Sequence, residues 1–126
     1  MHLNFSKMNT FTTSAIFLLC VGSIHAMSGD ATYYDLGMTA CGQVYSDNDL
    51  VAAIGKNYWT TGNPNNDPVC QKRARVTDPQ IGKSVTVQIK DKCMGCKSGD
   101  IDLSRAAFKQ LRDLSVGRFK VNWNFV

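Results

Sequence analysis

The sequence predicts a small, mainly β protein that closes into a barrel. Short runs of alternating apolar and polar residues predict strands, tight turns separate these runs, and one clear helix lies late in the chain. A closed barrel suits this pattern because closure leaves no strand edge exposed to solvent. The 126 residues contain no internal repeat and no low-complexity segment.

Residues 1–26 are typical of a secretory signal. Lys7 supplies a positive flank, residues 15–24 form an apolar stretch too short to span a bilayer, and Ala26 is a small residue suited to cleavage. Ile24 makes that cleavage site imperfect, and an uncleaved anchor is the alternative. We therefore expect a secreted, extracellular domain of residues 27–126, with no membrane association after cleavage.

Two segments near the start of this domain predict strands. Residues 29–35 are rich in β-forming residues, and residues 50–54 form a short apolar run typical of a buried strand. Between them, residues 36–42 form a loop. Residues 57–68 are rich in Asn, Gly and Pro and predict a long polar loop.

A hairpin follows, and then the helix and a last strand. Residues 71–77 and 84–90 alternate in polarity on either side of a turn at 78–82. The helix is predicted over 105–114, and a final alternating strand starts at Gly117.

Local signals define the predicted helix. Ser104 is a good N-cap, and Leu103 before it is placed to pack on Phe108 as a hydrophobic staple. On the opposite side of the helix, Lys109 and Arg112 are expected to face water, together with Asp113.

Four cysteines remain once Cys20 leaves with the signal. They are Cys41, Cys70, Cys93 and Cys96. An even number in a secreted chain indicates disulfides, and three pairings are possible. We favour Cys93–Cys96 as a local staple and Cys41–Cys70 as the long bridge. A redox centre or a zinc site at the Cys-x-x-Cys motif fits less well, because a polar loop follows the motif and no histidine remains. We expect no metal and no cofactor.

The charge of the chain is mildly basic. Losing Lys7 with the signal lowers the formal net charge from +4 to +3. The basic residues are scattered, which is typical of a solvated surface or, alternatively, of weak attraction to acidic polymers. No basic stripe with interleaved aromatics occurs, so nucleic-acid binding is not expected.

The residue types that are missing exclude several reactions. Both histidines, His2 and His25, lie in the predicted signal, and the chain has no glutamate. Ser-His-Asp and Cys-His catalysis and zinc-protease motifs are therefore excluded. Any chemistry in the mature domain must use aspartate, tyrosine, lysine, cysteine or the backbone.

Two aspartates are candidate catalytic residues. Asp102 lies between Ile101 and Leu103 just before the helix, where apolar neighbours would raise its pKa and suit it to act as a general acid. Asp91 ends an apolar strand, and paired carboxylates are what glycoside hydrolysis requires. The alternative is structural: Asp102 would accept backbone N–H bonds, and Asp91 would cap a turn.

Aromatic residues in strand and loop positions are candidate sugar contacts. Tyr33, Tyr34, Tyr58 and Trp59 could stack on sugar rings through their apolar faces, although each is as readily a core residue. Adjacent Tyr33 and Tyr34 must point to opposite faces of a strand, so one can lie in the core and the other in a groove.

A series of motifs in fixed order resembles a known family. The motifs are Ala31-Thr-Tyr-Tyr, Ala40-Cys-Gly, Pro68-Val-Cys, Gly82-Lys-Ser-Val-Thr-Val-Gln-Ile-Lys-Asp, Cys93-Met-Gly-Cys and Asp102-Leu-Ser-Arg-Ala-Ala-Phe. The order and spacing resemble the double-psi β-barrel of the expansin and rare lipoprotein A superfamily. The similarity is greatest to the single-domain secreted forms called loosenins.

This resemblance implies a fold and a site. The fold would be a six-stranded double-psi β-barrel with one well-defined α-helix, short additional helical turns and an open polysaccharide groove. By motif position, Asp102 lines the groove and is needed for loosening, with Thr32, Tyr34 and Asp91 as its neighbours. Related endoglucanases and lytic transglycosylases use the aspartate at the Asp102 position as the catalytic acid.

The chain departs from the expansin pattern in two ways. The second expansin domain, which binds cellulose, is not expected here. Ile101, preceded by Asp100, stands where plant expansins carry a His-Phe pair. Both departures bear on whether the chain has full expansin activity.

Three functional hypotheses follow. The first is a secreted, monomeric, non-hydrolytic protein that binds and loosens cell-wall polysaccharide such as cellulose or chitin, using Asp102 and Asp91, with Thr32, Tyr34, Tyr33 and Trp59 as substrate contacts. The second is a weak glycoside hydrolase or lytic transglycosylase with Asp102 as acid. The third is a secreted interaction protein, such as an inhibitor or an effector, that reuses the barrel.

Overall fold

The computed structural model describes residues 26–126, which form a closed six-stranded β-barrel. The predicted signal at 1–26 lies outside the described residues apart from Ala26. The strands are β1 (Met27–Tyr33), β2 (Val51–Gly55), β3 (Arg73–Thr77), β4 (Ser84–Cys93), β5 (Ile101–Leu103) and β6 (Phe119–Phe125), and the helix α1 spans Arg105–Leu111. Short 3-10 turns at Lys56–Tyr58, Pro64–Asn66, Pro68–Gln71 and Leu114–Val116 complete the structure.

The strand order around the barrel is β1-β5-β2-β4-β3-β6. Two of the pairs, β1–β5 and β2–β4, are parallel, and the other pairs are antiparallel. Parallel neighbours need long crossover connections, and here those connections carry the loops, turns and helix. This arrangement confirms the predicted mainly β fold as a double-psi β-barrel.

The core fills the interior of the barrel and continues under α1. Its largest fully buried side chains are Trp123, Phe108, Ile54, Ile89, Ile101, Leu103 and Leu111. Burying a side chain of this size stabilises the fold by about 1.5–3 kcal/mol. All five residues of β2 are buried, which explains why this strand appears in the sequence as a continuous apolar run.

One strand is missing from the sequence-based prediction. β5 contains only three residues, Ile101–Leu103, and the sequence analysis treats them as the approach to the helix. Ile101 and Leu103 are fully buried while Asp102 between them is half-buried, so the segment does alternate as a strand should. β5 pairs with β1 on one side and β2 on the other, and it therefore closes this part of the barrel.

The helix start is confirmed, and its end is shorter than expected. The Ser104 side chain accepts a hydrogen bond from the Ala107 backbone N–H at 3.2 Å, as an N-cap should. The helix ends at Leu111 instead of residue 114, and a 3-10 turn follows. Gly117, at φ 74°, ends that turn in a conformation that favours glycine.

The expectation that Arg112 faces water is wrong. Its guanidinium forms an ion pair with Asp78, whose side chain is fully buried in the β3–β4 turn, and also donates to Gln80 at 2.8 Å. Burial is the largest influence on the pKa of Asp78 and raises it, but the hydrogen bond and charge of Arg112, together with backbone N–H donors from Gln80 and Ile81, outweigh burial and hold the pKa below its usual value. The pair therefore fastens the end of the helix to the hairpin.

Two glycines allow a close crossing beside β1. A Cβ on Gly99 would lie 1.9 Å from the Ser28 carbonyl oxygen, and a Cβ on Gly29 would lie 2.3 Å from the Gly99 backbone. Only glycine fits at such a distance. The Trp123 indole N–H donates to the Gly99 carbonyl at 3.0 Å and holds the crossing segment against β6.

Both disulfides form as favoured. Cys93 bonds Cys96 within one turn, and Cys41 bonds Cys70 across 29 residues. A bridge that closes a loop of this second length stabilises a fold by about 3–4 kcal/mol in the chain-entropy account. The two disulfides indicate an oxidising, extracellular environment.

Within residues 26–126, no helix has the length and apolar character required to cross a membrane.

The Arg112–Asp78 pair provides a test of the fold. Arg112→Ala removes the ion-pair partner of a buried carboxylate, and we expect a clear fall in the free energy of unfolding in urea denaturation. Lys109→Ala, an exposed cation on the same helix, is the control and should change stability by no more than about 0.5 kcal/mol. Equal losses in the two variants would contradict this account of the pair.

Candidate functional site

Four side chains on four adjacent strands form a row on the outside of the barrel. Thr32 on β1 pairs with Asp102 on β5, Asp102 pairs with Ala53 on β2, and Ala53 pairs with Asp91 on β4. Directly paired residues point to the same face of a sheet, so these side chains lie side by side. The row crosses three strand spacings, or about 14 Å.

A β-bulge places Asp91 in this row. Ala52 pairs with Ile89, whereas the next residue, Ala53, pairs with Asp91, so Lys90 is an extra residue in β4. Ile89 is fully buried in the core. Strict alternation after Ile89 would direct Asp91 into the core as well, and the extra residue turns it to the outer face instead.

Asp102 has one carboxylate oxygen available to a ligand. Its Oδ1 accepts a hydrogen bond from the Thr32 hydroxyl at 2.9 Å, and its Oδ2 accepts none from residues 26–126. Burial raises the pKa of Asp102, and the nearby negative charge of Asp91 raises it further, while the Thr32 hydroxyl and Arg118 oppose the shift. This carboxyl group is therefore easier to protonate than an ordinary aspartate, and once protonated it can donate a hydrogen bond.

Asp91 is held by three donors. The Tyr34 hydroxyl donates to Oδ2 at 2.8 Å, and the backbone N–H groups of Ala40 and Lys92 each donate to Oδ1 at 2.9 Å. Because both oxygens are occupied, Asp91 is placed to fix Tyr34 and the 37–44 loop beside the row. The structural alternative considered from the sequence, an aspartate that caps a turn, matches these contacts.

Tyr34 connects the two ends of the row. It follows β1, and its hydroxyl donates to Asp91 on β4, so it links the first and last strands of the row. Burial raises the pKa of Tyr34 well above its ordinary value, and the negative charge of Asp91 adds to this shift. The hydroxyl stays protonated across the physiological range and remains a donor.

Tyr33 and Trp59 do not join the row. Tyr33 packs edge-on against Phe108 with ring centroids 4.8 Å apart, and its hydroxyl donates to the Leu114 carbonyl at 3.1 Å. The two adjacent tyrosines thus point to opposite faces, as expected. Trp59 is only 9% exposed and belongs to the core, with Lys92 lying over its ring. It offers no open face for a sugar.

Three further carboxylates near the start of the domain are engaged elsewhere. Asp35 forms an ion pair with Arg105, which also lies 3.5 Å from Asp47. Asp49 accepts a hydrogen bond from the Ser46 backbone N–H at 2.8 Å. No group of three or more His, Cys, Asp or Glu side chains is placed to hold a metal ion within the described part of the chain.

Two members of the site carry no signal in the sequence. Ala53 lies between the two aspartates in the row, but in the sequence it is one of several apolar residues in a buried run. The Ala40 backbone N–H binds Asp91 although 51 residues separate them. Both contributions depend on register and loop placement, which only the folded chain reveals.

Comparison with known proteins identifies the family. The family model described as lytic transglycolase, a double-psi β-barrel (DPBB) family, matches residues 26–123. The chain belongs to this family. Its membership places it in the expansin and rare lipoprotein A superfamily, as the sequence motifs suggest.

Three relatives of this family member are informative. A papain inhibitor from Streptomyces mobaraensis is 44% identical over 79% of this chain and 71% of its own length. The solved structure of a Streptomyces papain inhibitor superposes with a TM-score of 0.76 at 40% identity, covering 81% of this chain and 94% of that one. A mutant Clavibacter michiganensis expansin in complex with cellohexaose superposes with a TM-score of 0.68 at 27% identity, covering 81% of this chain and 50% of the expansin.

These relatives differ in their partners. The expansin structure contains a cellulose oligosaccharide, whereas the inhibitors are named for a protein target. The family therefore supports a cell-wall-related or expansin-like role, and it leaves a protein partner possible.

The raised pKa of Asp102 predicts a pH-dependent effect on stability. The folded state binds the Asp102 proton more tightly than the unfolded state, so this contribution to stability is present at acid pH and is lost as pH rises through the folded pKa. We therefore expect Asp102→Asn to be more stable than the unmodified protein at neutral pH, with a gain that shrinks on acidification.

Thermal unfolding across the pH range that spans aspartate titration measures this difference. Asp113→Asn, an exposed carboxylate outside the row, is the matched control and should show little gain. A gain for Asp102→Asn that stays constant or grows towards acid pH would refute the assignment.

Proposed function

We propose that this protein is a secreted, expansin-like protein of the loosenin type that binds cell-wall polysaccharide and loosens it without hydrolysis. The observation that carries the proposal is the row of Thr32, Asp102, Ala53 and Asp91, in which Asp102 keeps one free oxygen. The row crosses four strands on the outside of the barrel, a direction along which a long polymer could lie.

Asp102 would make the central contact. Its free oxygen can accept a hydrogen bond from a sugar hydroxyl or, when protonated, donate one to a glycan oxygen. Each such contact can replace one sugar–sugar hydrogen bond, whose net worth is about 1 kcal/mol. A series of small exchanges of this kind can separate chains without breaking a covalent bond.

Thr32, Tyr34 and Asp91 would position Asp102 and the polymer. Thr32 fixes the orientation of the Asp102 carboxyl, while Asp91 holds the Tyr34 hydroxyl and the adjacent loop. Tyr34 is half-buried, so part of its ring remains available to a sugar.

The arrangement of the carboxylates favours loosening over hydrolysis. Asp91 is poorly suited to act as a nucleophile, because the Tyr34 hydroxyl and two backbone N–H groups already donate hydrogen bonds to it. Asp91 is also poorly suited to act as an inverting base, because both of its oxygens accept hydrogen bonds within the protein. The remaining enzymatic route is a lytic transglycosylase reaction with Asp102 as the one acid.

A combined binding and product assay tests the proposal. Purified protein is incubated with insoluble cellulose, chitin and peptidoglycan, and bound protein, filter-paper strength and released reducing or anhydro sugars are measured. We expect binding and weakening without soluble product, and a loss of affinity of roughly tenfold in Asp102→Asn, because the carboxylate oxygen that accepts a sugar hydroxyl is replaced by an amide N–H donor. Asp113→Asn is the matched control and should bind normally.

The alternative outcomes are distinct. Soluble product that disappears in Asp102→Asn would identify an enzyme. Absence of binding to all three polymers would refute the glycan proposal.

A second candidate function is inhibition of a papain-like cysteine protease. The 44% identity to a papain inhibitor favours it, and an apolar loop offers a contact surface. Met38 and Val44 pair across this loop and are 70% and 69% exposed. The Cys41–Cys70 disulfide ties the same loop to the barrel, which reduces the entropy lost on binding.

Loop variants test this candidate separately from the groove. If the protein inhibits papain, the double variant Met38→Ser and Val44→Ser should raise the inhibition constant at least tenfold, because two exposed apolar contacts are removed. Ile81→Ser, at an exposed apolar residue in the β3–β4 turn, is the control. Inhibition that Asp102→Asn abolishes and the loop variant retains would assign inhibition to the groove instead.

A further inference from the structure

The outer face of β3 carries two arginines that have no partner in the described part of the chain. Arg73 and Arg75 alternate with the fully buried Ala74 and Val76, so both side chains point to solvent. Neither guanidinium makes an ion pair or a hydrogen bond within residues 26–126, whereas each of the other described arginines pairs with an aspartate.

The strands on either side of β3 surround these arginines with neutral polar groups. Arg73 lies opposite Gln88 on β4, and Arg75 lies between Thr86 on β4 and Asn124 on β6. Amides and hydroxyls are groups that bind sugar hydroxyls. The face is thus three strands wide and combines two fixed positive charges with hydrogen-bonding neighbours.

No acidic side chain lies on this face among residues 26–126. Asp91 is the one acidic residue in β3, β4 and β6. It lies near the end of β4, in the row that it forms with Thr32, Asp102 and Ala53 (the groove row). The two surfaces therefore differ in charge: the groove row on β1, β5, β2 and β4 is acidic, and the β3 face is basic. An anionic polymer that the groove would repel can be attracted by the β3 face.

We propose that the outer face of β3, centred on Arg73 and Arg75, is a second binding surface for a linear acidic polysaccharide. Residues two apart on a strand are separated by about 7 Å, so the guanidinium groups form a short line of positive charge. A guanidinium binds a carboxylate with two parallel hydrogen bonds. Gln88 and Thr86 then bind the hydroxyls of the sugars that carry the acidic groups.

The aromatic residues of this sheet favour a glycan over a single-stranded nucleic acid. Two of the three aromatic residues of β6, Phe119 and Trp123, are at most 8% exposed, and the third, Phe125, is partly buried against the core. Sequence-tolerant binding of single strands depends on exposed rings on which bases stack. The β3 face presents charge and hydrogen bonds without such a stacking surface.

Binding to polygalacturonate tests the proposal. Affinity is measured by calorimetry or affinity electrophoresis for the unmodified protein and for the double variant Arg73→Gln and Arg75→Gln. Both arginines are exposed, so folding should be retained, which thermal unfolding checks. We expect the double variant to bind roughly five- to tenfold more weakly at low salt, with a shallower dependence on salt concentration.

A control of equal charge distinguishes a site from general attraction. Lys56→Gln with Lys109→Gln removes the same two charges from exposed lysines that form no ion pair among the described residues, one after β2 and one on α1. This control should keep most of the affinity. Equal losses in the two double variants would overturn the proposal, since net charge alone would then explain binding.

Two further measurements complete the test. One distinguishes this surface from the groove row, and the other distinguishes an acidic polysaccharide from other polyanions as its ligand. Asp102→Asn should bind polygalacturonate no more weakly than the unmodified protein, so failure of the groove proposal leaves this one intact. Single-stranded DNA should bind more weakly than polygalacturonate at equal charge concentration. DNA binding that is equally strong and equally dependent on Arg73 and Arg75 would overturn the assignment to an acidic polysaccharide.

Discussion

The site depends on the bulge at Lys90 in β4. The strand first directs Val85, Val87 and Ile89 into the core, and one extra residue then turns Asp91 outwards to pair with Ala53. Without that residue, a carboxylate would enter a dry, apolar interior, which costs several kcal/mol. With it, Asp91 accepts hydrogen bonds from the Tyr34 hydroxyl and the Ala40 backbone N–H. The bulge therefore positions Asp91 in the groove row and connects it to Tyr34 and to the loop that carries Cys41.

Much of this fold could be predicted because it follows local rules. The cap at Ser104, the alternation of the β3–β4 hairpin and the local Cys93–Cys96 bridge each involve residues close in sequence. The family motifs extend that prediction to the closed barrel and to the grouping of Thr32 and Tyr34 with the two aspartates. Those motifs are informative because they mark positions that the barrel brings together.

The parts that could not be predicted depend on contacts between distant segments. β5 is too short for its periodicity to be recognised before folding. Arg112 directly follows the last residue of the helix, and its partner Asp78 is 34 residues away in the sequence. Trp59 sits in a polar loop, and it is buried because the Cys41–Cys70 bridge and neighbouring turns fold that loop onto the barrel. In each case, the structure around the residue depends on the position of a distant segment, which the residue type alone does not indicate.

The position of Asp102 also has an energetic consequence for the whole domain. A carboxylate held at a desolvated position next to Asp91 destabilises the folded state when it is ionised. A barrel of about 100 residues has little stability in reserve. The Asp78–Arg112 pair and the long disulfide lie outside the groove row, and they stabilise the domain without occupying the free oxygen of Asp102. The contacts that stabilise the barrel thus lie apart from Asp102, whose partly buried environment favours its protonated form.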